Sequence, residues 1–262
     1  MTDVPVRKQN LQKILYEQGV SLATAFRFLT LLPLRLGCAD EQRYYSKSLW
    51  YFPVVGLVIG LAGSGLGALC LSFFPQPVSA TLLIVYLAGI SGCLHLDGLS
   101  DSGDGLLSAR SRERSLAIMR DSHVGAMGVI VVVFLILAKF SALSSIDKEL
   151  LPQAVCIMPL AGRVAILLTM AVLPYARSQE GLGTLFYSGN VRSASFLGVG
   201  IFLFFLLLFT GSSSFFVIII WGAFFLVFNW SCKVKLGGAT GDTLGANCEI
   251  AELAVALGFT LF

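Results

Sequence analysis

Two long uncharged stretches limit what this chain can fold into. The first covers Ser48–Leu96 and the second covers Ser193–Cys232, and neither contains Lys, Arg, Asp or Glu. A single membrane-spanning helix needs about 20 consecutive apolar residues, so each stretch is long enough for two helices. Ile201–Phe209 and Phe215–Ile220 are apolar at almost every position, whereas strands of a membrane β-barrel alternate apolar and polar residues. We therefore expect an all-α, polytopic integral membrane helical bundle and not a soluble enzyme.

Composition and charge exclude other classes of protein. Of the 262 residues, 56% are hydrophobic and only 13% are charged, against about 25% charged residues in an average soluble domain. A net charge of +3 is too small to indicate a nucleic-acid partner. The six cysteines form no CxxC pair, which argues against a zinc site or a disulfide framework.

The residues that interrupt the apolar runs predict six membrane crossings in a single domain covering residues 1–262. A seventh element, Thr243–Phe262, is weaker because it carries Glu249 and Glu252, and Asn10–Leu36 is a candidate interfacial segment. We therefore expect six to eight membrane helices. The six crossings are Leu49–Phe74, Val78–Leu96, Val124–Ile146, Leu150–Ala176, Ala194–Thr210 and Phe215–Cys232.

Basic residues predict the orientation of this bundle. Six crossings place the N-terminus, Asp97–His123, Arg177–Arg192 and Lys233–Gly245 on one side, and these segments hold nearly every Lys and Arg. The opposite side would carry only Lys139 and Lys148 among basic residues. Because short cytoplasmic loops are enriched in Lys and Arg, we expect the basic side to face the cytoplasm.

Three aspartates lie where the second predicted crossing reaches that basic side. Asp97, Asp101 and Asp104 are spaced i, i+4 and i+7, which on a helix places them within a stripe about 60° wide. Like charges repel unless a cation lies among them, and carboxylate oxygens suit Mg²⁺ or Ca²⁺. A solvated helix end is the alternative interpretation. His95, just before the aspartates, is a candidate for a direct role in the site.

A cluster of arginines follows the aspartates. An arginine-rich segment beside carboxylates suits a substrate that carries phosphates, although it is also typical of ordinary positive-inside anchoring. Asp121 and His123 follow before the next crossing and are candidates for the same site. The arginines are Arg110, Arg112, Arg114 and Arg120.

A second group of candidate residues lies beyond the last predicted crossing. Gly237, Gly238 and Gly241 permit a tight turn whose backbone N–H groups are candidates for phosphate binding. Three acids then share one helix face, and acids that enter an apolar segment are functional candidates by default. The alternative is a C-terminal helix that rests on the surface. The acids are Asp242, Glu249 and Glu252.

Arg163 lies in the middle of the predicted crossing Leu150–Ala176. It is about 13 residues from either end, which is too far for its side chain to reach water by extending along the helix. We therefore expect it to bind a carboxylate, a phosphate or a polar cavity.

The sequence resembles the cobalamin synthase family, whose members are adenosylcobinamide-GDP ribazoletransferases. The resemblance covers almost the whole chain. Arg120 stands where the family usually has lysine, and His123 where a basic residue is commoner. The residues that carry the resemblance are Phe28–Thr30 with Leu32 and Pro33, Tyr51–Gly56, His95–Gly105, Ile118–Gly128, Tyr175–Arg177 with Gly181–Gly183, and Gly237–Glu252.

The resemblance implies a reaction and its site. Adenosylcobinamide-GDP would combine with α-ribazole, or its 5′-phosphate, to give adenosylcobalamin or its 5′-phosphate, with Mg²⁺ as cofactor and GMP released. Metal ligands would be Asp97, Asp101, Asp104 and Glu249, and a proton would pass to Asp121 or Asp242. The expected substrate-binding residues are His95, Arg110, Arg120, His123, Arg163, Arg177, Gly237, Gly238, Gly241 and Glu252.

The same resemblance implies a multi-pass protein of the bacterial cytoplasmic (inner) membrane, with its active site facing the cytoplasm. The lipid bilayer is then a partner, and the protein could form a homo-oligomer or associate with other cobalamin-assembly enzymes.

Two other functions stay open on the residues alone. A CDP-alcohol phosphotransferase also has aspartates at a cytoplasmic helix end, but Ala109-Arg110 comes one residue too late for its motif and the downstream aspartate pair is missing. A transporter would use Arg163, Glu249 and Glu252 to line an ion path. Its acids would lie at the membrane midplane, whereas most acids here cluster near one end.

Overall fold

The computed structural model describes residues 4–34, 36, 42–177, 184, 186–187 and 189–262. Over these residues the chain is helical, with an isolated bridge between Tyr175 and Ala239 and no strand, so the all-α prediction is confirmed. The helices are α1 (Val4–Leu29), α2 (Gln42–Ser48), α3 (Phe52–Phe73), α4 (Gln76–Ile90), α5 (Leu94–Leu106), α6 (Arg112–Ile118), α7 (Ala126–Ser145), α8 (Leu151–Val172), α9 (Val191–Thr210), α10 (Ser214–Leu236) and α11 (Gly241–Phe259).

Four helical runs of the described chain are long and apolar enough to cross a membrane. The last run, 191–236, has 46 residues, or about 69 Å of helix, which is more than twice the bilayer core. It reverses at Gly211, whose φ of +54° lies in the left-handed region. Because the rings of Phe202 and Trp221 are only 5.1 Å apart, α9 and α10 form a hairpin of two crossings, as the sequence predicts.

The predicted crossing Val78–Leu96 is divided in the structure. Helix α4 ends at Ile90, and the chain bends by 89° before α5 begins. Gly92 and Cys93 make the bend possible with φ values of +60° and +59°. Since α5 has 13 residues and three aspartates, it is too short and too polar to span a bilayer, and we treat it as lying outside the spanning helices.

Helix α8 forms the centre of the bundle, with nearly every residue buried. Glycines let α3 pack closely on it, since a Cβ at Gly60 would collide with the carbonyl of Cys156, and one at Gly56 would lie 2.7 Å from the carbonyl of Pro159. Helix α11 is also buried along almost its whole length. The interpretation of Thr243–Phe262 as a surface helix is therefore wrong, because α11 packs into the interior between α5, α7, α8 and α10.

Candidate active site

The candidate site lies where α5 crosses the first turns of α11. A Cβ at Gly98 would lie 2.7 Å from the carbonyl oxygen of Asp242, and a Cβ at Gly245 would lie 3.2 Å from the Cα of His95. Glycine on each helix therefore permits a backbone contact that larger residues would prevent. The crossing brings the two acidic segments together, as the sequence predicts for Asp97–Asp104 and Asp242.

Local hydrogen bonds fix the point at which α11 begins. Thr240 and Thr243 form a reciprocal capping box: the Thr240 hydroxyl accepts from the Thr243 N–H at 3.2 Å and the Thr243 hydroxyl accepts from the Thr240 N–H at 2.8 Å. Two such bonds satisfy N–H groups that a helix start leaves unpaired. Asp242 therefore has a defined position in the first turn of α11.

The glycine-rich turn before α11 is held against the segment that follows α8. Gly237 ends α10 with a φ of +73°, and a Cβ at Gly238 would collide with the carbonyl of Pro174. The N–H of Ala239 donates to the same carbonyl at 2.9 Å. Gly237 and Gly238 thus serve chain reversal and close packing, and their binding to substrate stays a prediction. Gly241 lines a cavity.

Asp101 is half-buried at the centre of the acidic group. Burial, together with the negative charges of Asp242, Asp97 and Asp104, raises its pKa to about 6, and Arg177 opposes this shift. The carboxylates around Asp101 are therefore only partly compensated by cationic side chains of the chain itself. A bound cation would relieve this repulsion.

Asp104 is committed to a contact between helices. Its two carboxylate oxygens accept hydrogen bonds from the N–H groups of Gly125 at 2.7 Å and Gly128 at 2.8 Å, at the start of α7. A carboxylate at a helix N-terminus satisfies unpaired donors and is stabilised by the helix dipole. Asp104 thus joins α5 to α7, which leaves Asp97 and Asp101 as the candidate metal ligands of α5.

The remaining donors fit Mg²⁺ better than a metal enclosed by protein. Within the described ranges, no three His, Cys, Asp or Glu side chains converge as a complete metal site. Mg²⁺ typically takes only one or two protein carboxylates and completes its coordination with water and substrate phosphates. Asp97 and Asp101, one turn apart and near the surface end of the site, provide such a pair.

Arg177 and Asp242 form the main ion pair of the site. Arg177 Nη2 donates to Asp242 Oδ2 at 2.6 Å, and the Thr240 hydroxyl donates to the same oxygen at 3.2 Å. Both charged side chains are largely buried, with 15% and 22% exposure. The pair, together with Thr240, therefore fixes one carboxylate oxygen of Asp242.

An open groove of about 440 Å³ lies beside this pair and contains Arg112, Arg120 and Arg177. Arg112 is held in place, because its guanidinium donates to the carbonyls of Leu236 at 2.6 Å and Ala176 at 2.7 Å. Arg110 is exposed outside the groove. Arg110 and Arg120 are the two arginines of this cluster that the sequence predicts to bind substrate. The structure places Arg120, but not Arg110, in the groove with Arg177.

Asp121 and His123 form an exposed pair in the loop before α7. The His123 ring lies 2.6 Å from the Asp121 carboxylate, and this contact raises the pKa of His123 and lowers that of Asp121. The loop leads directly to Gly125, which binds Asp104. The pair therefore lies at the same end of the bundle as the aspartates, and its two residues hydrogen-bond to each other within the loop.

Four charged residues form a buried cluster deeper in the bundle, which corrects several predictions. Lys139 donates to Glu249 at 2.6 Å and to Glu252 at 2.8 Å, and Arg163 donates to Glu252 at 2.8 Å. No side chain of the four is more than 5% exposed. Lys139 is thus not a residue of the opposite surface. Glu249 is paired with a cation instead of lying beside the aspartates. Arg163 binds the carboxylate of Glu252, so the expectation of a carboxylate partner is confirmed, and this buried pair is an alternative to the predicted contact of both residues with substrate.

Sequence reasoning missed the aromatic side chains next to the site. Phe28, Phe52 and Phe186 line a cavity that also contains Asp97 and Asp242. They come from α1, α3 and the segment after α8, so no local motif connects them. Lys139 was detectable, because a lysine within a membrane crossing requires a partner.

Comparison with known proteins identifies the family of this chain. Residues 21–260 match a protein family described as cobalamin-5-phosphate synthase. The chain belongs to this family. This match confirms the resemblance seen in the sequence. Of the residues that carry the resemblance, Gly181–Gly183 lie outside the described residues.

The chain matches curated relatives over almost the whole length of those relatives. The chain is 39% identical over 242 residues to an adenosylcobinamide-GDP ribazoletransferase of Desulfitobacterium hafniense, with 89% of this chain and 94% of the relative covered. Proteins of the same name from Thermoanaerobacter pseudethanolicus and Stutzerimonas stutzeri are 34% and 36% identical, covering 93% and 92% of this chain and 98% and 97% of the relatives. No solved structure matches the chain.

Proposed function

We propose that this member of the cobalamin-5-phosphate synthase family is an adenosylcobinamide-GDP ribazoletransferase. It joins adenosylcobinamide-GDP to α-ribazole, or its 5′-phosphate, and releases GMP in the last assembly step of the cobalamin nucleotide loop. The observation that carries the proposal is the convergence of Asp97 and Asp101 with the Asp242–Arg177 pair beside a groove lined by arginines. Carboxylates and arginines in one place suit a substrate with a diphosphate.

The reaction exchanges one phosphorus–oxygen bond for another. A ribose hydroxyl oxygen of the ribazole forms a bond to the phosphorus attached to cobinamide. The bond from that phosphorus to the GMP oxygen breaks, and its electron pair leaves with GMP. The proton of the attacking hydroxyl passes to a carboxylate of the site.

Asp242 is the carboxylate that we assign to accept this proton. Its Oδ2 is held by Arg177 and Thr240, which orients the carboxylate without occupying Oδ1. Asp121, the other candidate from the sequence, is 58% exposed and is bonded to His123. A fixed carboxylate inside the crossing is better placed to meet a bound hydroxyl than an exposed one in a loop.

Asp97 and Asp101 are the ligands that we propose for Mg²⁺, which would neutralise negative charge on the diphosphate. Arg120 and Arg177 would bind phosphate oxygens of the GDP moiety from the groove side, where Arg177 has a second task in orienting Asp242. Charge stabilisation of this kind is the main contribution an enzyme makes to phosphoryl transfer.

The site faces the cytoplasm in this proposal, and the membrane is the bacterial inner membrane. The site shares its end of the bundle with the arginine-rich α6 and with Lys233 and Lys235 at the end of α10. This is the distribution of basic residues that marks the cytoplasmic side. At the opposite end, the hairpin turn Gly211–Ser213 carries no charge, and the loop after α7 carries one lysine, Lys148, beside Asp147 and Glu149.

Purified protein in detergent tests the proposal directly. Adenosylcobinamide-GDP and α-ribazole should yield GMP and a cobalamin product in equal amounts, with Asp242→Asn as the matched inactive variant. A CDP-alcohol phosphotransferase would instead release CMP from a CDP-linked donor. If the folded protein forms no GMP from adenosylcobinamide-GDP, the proposal is wrong.

A further inference from the structure

An aromatic cavity of about 200 Å³ lies beside two carboxylates of the site, Asp97 and Asp242, which contribute to its lining. Its inner wall includes Phe52, Phe186 and Met170, which are 1%, 3% and 5% exposed. Asp97 and Gly241 also line it and are exposed. The aromatic cavity is therefore exposed at Asp97 and Gly241 and buried at its phenylalanine and methionine side chains.

Three phenylalanine rings form one wall of the aromatic cavity. The ring centroids of Phe28 and Phe186 are 4.5 Å apart, those of Phe52 and Phe186 are 5.8 Å apart, and those of Phe28 and Phe52 are 6.1 Å apart. Ile166 and Met170 of α8 also line the cavity. Such a surface favours a flat aromatic ligand, because aromatic groups gain contact energy from stacked or edge-on packing.

One buried side chain that lines this cavity has a ring nitrogen without a partner. His95 lines the cavity and is 3% exposed, and its Nε2 has no hydrogen-bond partner among the described residues. A buried polar atom that is left unpaired costs free energy. A ligand with a ring nitrogen would remove this cost, because an imidazole nitrogen donates or accepts according to its tautomer.

We propose that the aromatic cavity is the subsite for the heteroaromatic base of the ribazole substrate. The base packs against Phe28 and Phe186, and His95 Nε2 hydrogen-bonds to its ring nitrogen. This inference rests on the proposed function, because it assigns one of the two substrates of that reaction to a place. The base would then hold its ribose at the mouth, where the hydroxyl meets Asp242.

Size and polarity select the base over the other parts of the two substrates. A cavity of about 150 Å³ is enough to bind benzene, so 200 Å³ suits a small fused ring. A corrin macrocycle is far larger than this cavity. Guanine presents several donors and acceptors, which the phenylalanine, isoleucine and methionine side chains of the inner wall would leave unsatisfied.

Ligand competition on the unmodified protein is the first test. Binding of α-ribazole is measured by equilibrium dialysis in detergent, without adenosylcobinamide-GDP, so turnover is not required. Benzimidazole, which is a base without a sugar, should displace α-ribazole, whereas ribose 5-phosphate should not. Displacement by ribose 5-phosphate and not by benzimidazole would overturn the subsite.

Variants that fill the cavity are the second test. Met170→Phe should raise the KM for α-ribazole by about tenfold or more, while the KM for adenosylcobinamide-GDP stays within about twofold, because only one substrate loses space. Val172→Phe, on the same helix and 57% exposed, is the control for the added ring. If Met170→Phe is folded and raises only the KM for adenosylcobinamide-GDP, or neither KM, the subsite is wrong.

Replacement of His95 separates the hydrogen bond from packing. His95→Ala should raise the KM for α-ribazole, and His95→Gln, which keeps a donor and an acceptor, should restore much of the loss. Equal losses in both variants would remove His95 from the subsite. A separate assay of GMP release by the unmodified protein reports on the proposed function, so failure of that function is distinguishable from failure of the subsite.

Discussion

Arg177 donates to Asp242 Oδ2 at 2.6 Å across the boundary between two cavities. Asp242 lines the aromatic cavity, and Arg177 lines the arginine groove. The sequence separates the two residues by 65 positions. The bridge between Tyr175 and Ala239 brings their segments together and so sets the position of the pair.

Loss of this pair should reduce turnover more than folding. Arg177→Gln leaves Asp242 without its cationic partner and removes one arginine from the groove, so we expect the rate of GMP release to fall by about 100-fold. Arg192→Gln, an exposed arginine at the start of α9, is the matched control. Equal rates for Arg177→Gln and Arg192→Gln, at equal yields of monodisperse protein, would show that the ion pair is not needed for catalysis.

Asp104 should behave differently from its neighbours Asp97 and Asp101. Asp104→Ala removes both acceptors for the N–H groups that begin α7, and loss of such a cap costs about 1 kcal/mol or more. We expect a lower melting temperature in detergent for Asp104→Ala than for Asp97→Ala. A melting temperature unchanged by Asp104→Ala would contradict the assignment of this residue to the contact between α5 and α7.

In the buried charge cluster, removal of one charge should lower the stability of the protein more than removal of one positive and one negative charge together. Lys139→Met leaves Glu249 and Glu252 buried beside each other with only Arg163 as a cation, and breaking a buried ion pair typically costs about 3–5 kcal/mol. Lys139→Met combined with Glu249→Gln removes one charge of each sign. Thermal unfolding should therefore show the double variant to be more stable than Lys139→Met alone, and the reverse order would refute the pairing.

The sequence predicts the membrane helices well because their signal is local. Apolar length and turn residues identify the hairpin at Gly211 and the crossings on either side. The sequence does not predict that α4 ends at Ile90. The bend there depends on Cys93 adopting a left-handed conformation, which few residues other than glycine adopt.

At the candidate site, the sequence does not predict which residues that are far apart in the chain will contact each other. The i, i+4, i+7 pattern brings Asp97, Asp101 and Asp104 to one helix face but cannot show that the start of α7 occupies Asp104. Likewise, Glu249 and Glu252 are recognisable as unusual acids, but Lys139, 110 residues from Glu249, becomes their partner only through packing.

The orientation of the bundle predicts which loops reagents can reach. Ser122 is exposed in the loop before α7, and Ser212 is exposed at the opposite end in the hairpin turn. With the native cysteines replaced by alanine, a membrane-impermeant maleimide should label Ser212→Cys in intact cells but Ser122→Cys only after lysis. The opposite pattern would place the candidate site outside the cytoplasm.

Titration of GMP release against Mg²⁺ tests the central claim most directly, because it measures whether the carboxylates of α5 form a metal-dependent active site. The unmodified protein should be inactive without Mg²⁺ and should reach a plateau as the ion is added. Asp97→Asn and Asp101→Asn should each lower turnover by orders of magnitude and shift the titration to higher Mg²⁺, since each removes a charged ligand. Asp147→Asn, in the loop at the opposite end, serves as the control. If both α5 variants keep the Mg²⁺ dependence and turnover of the unmodified protein, the metal does not bind at these carboxylates and the account is wrong.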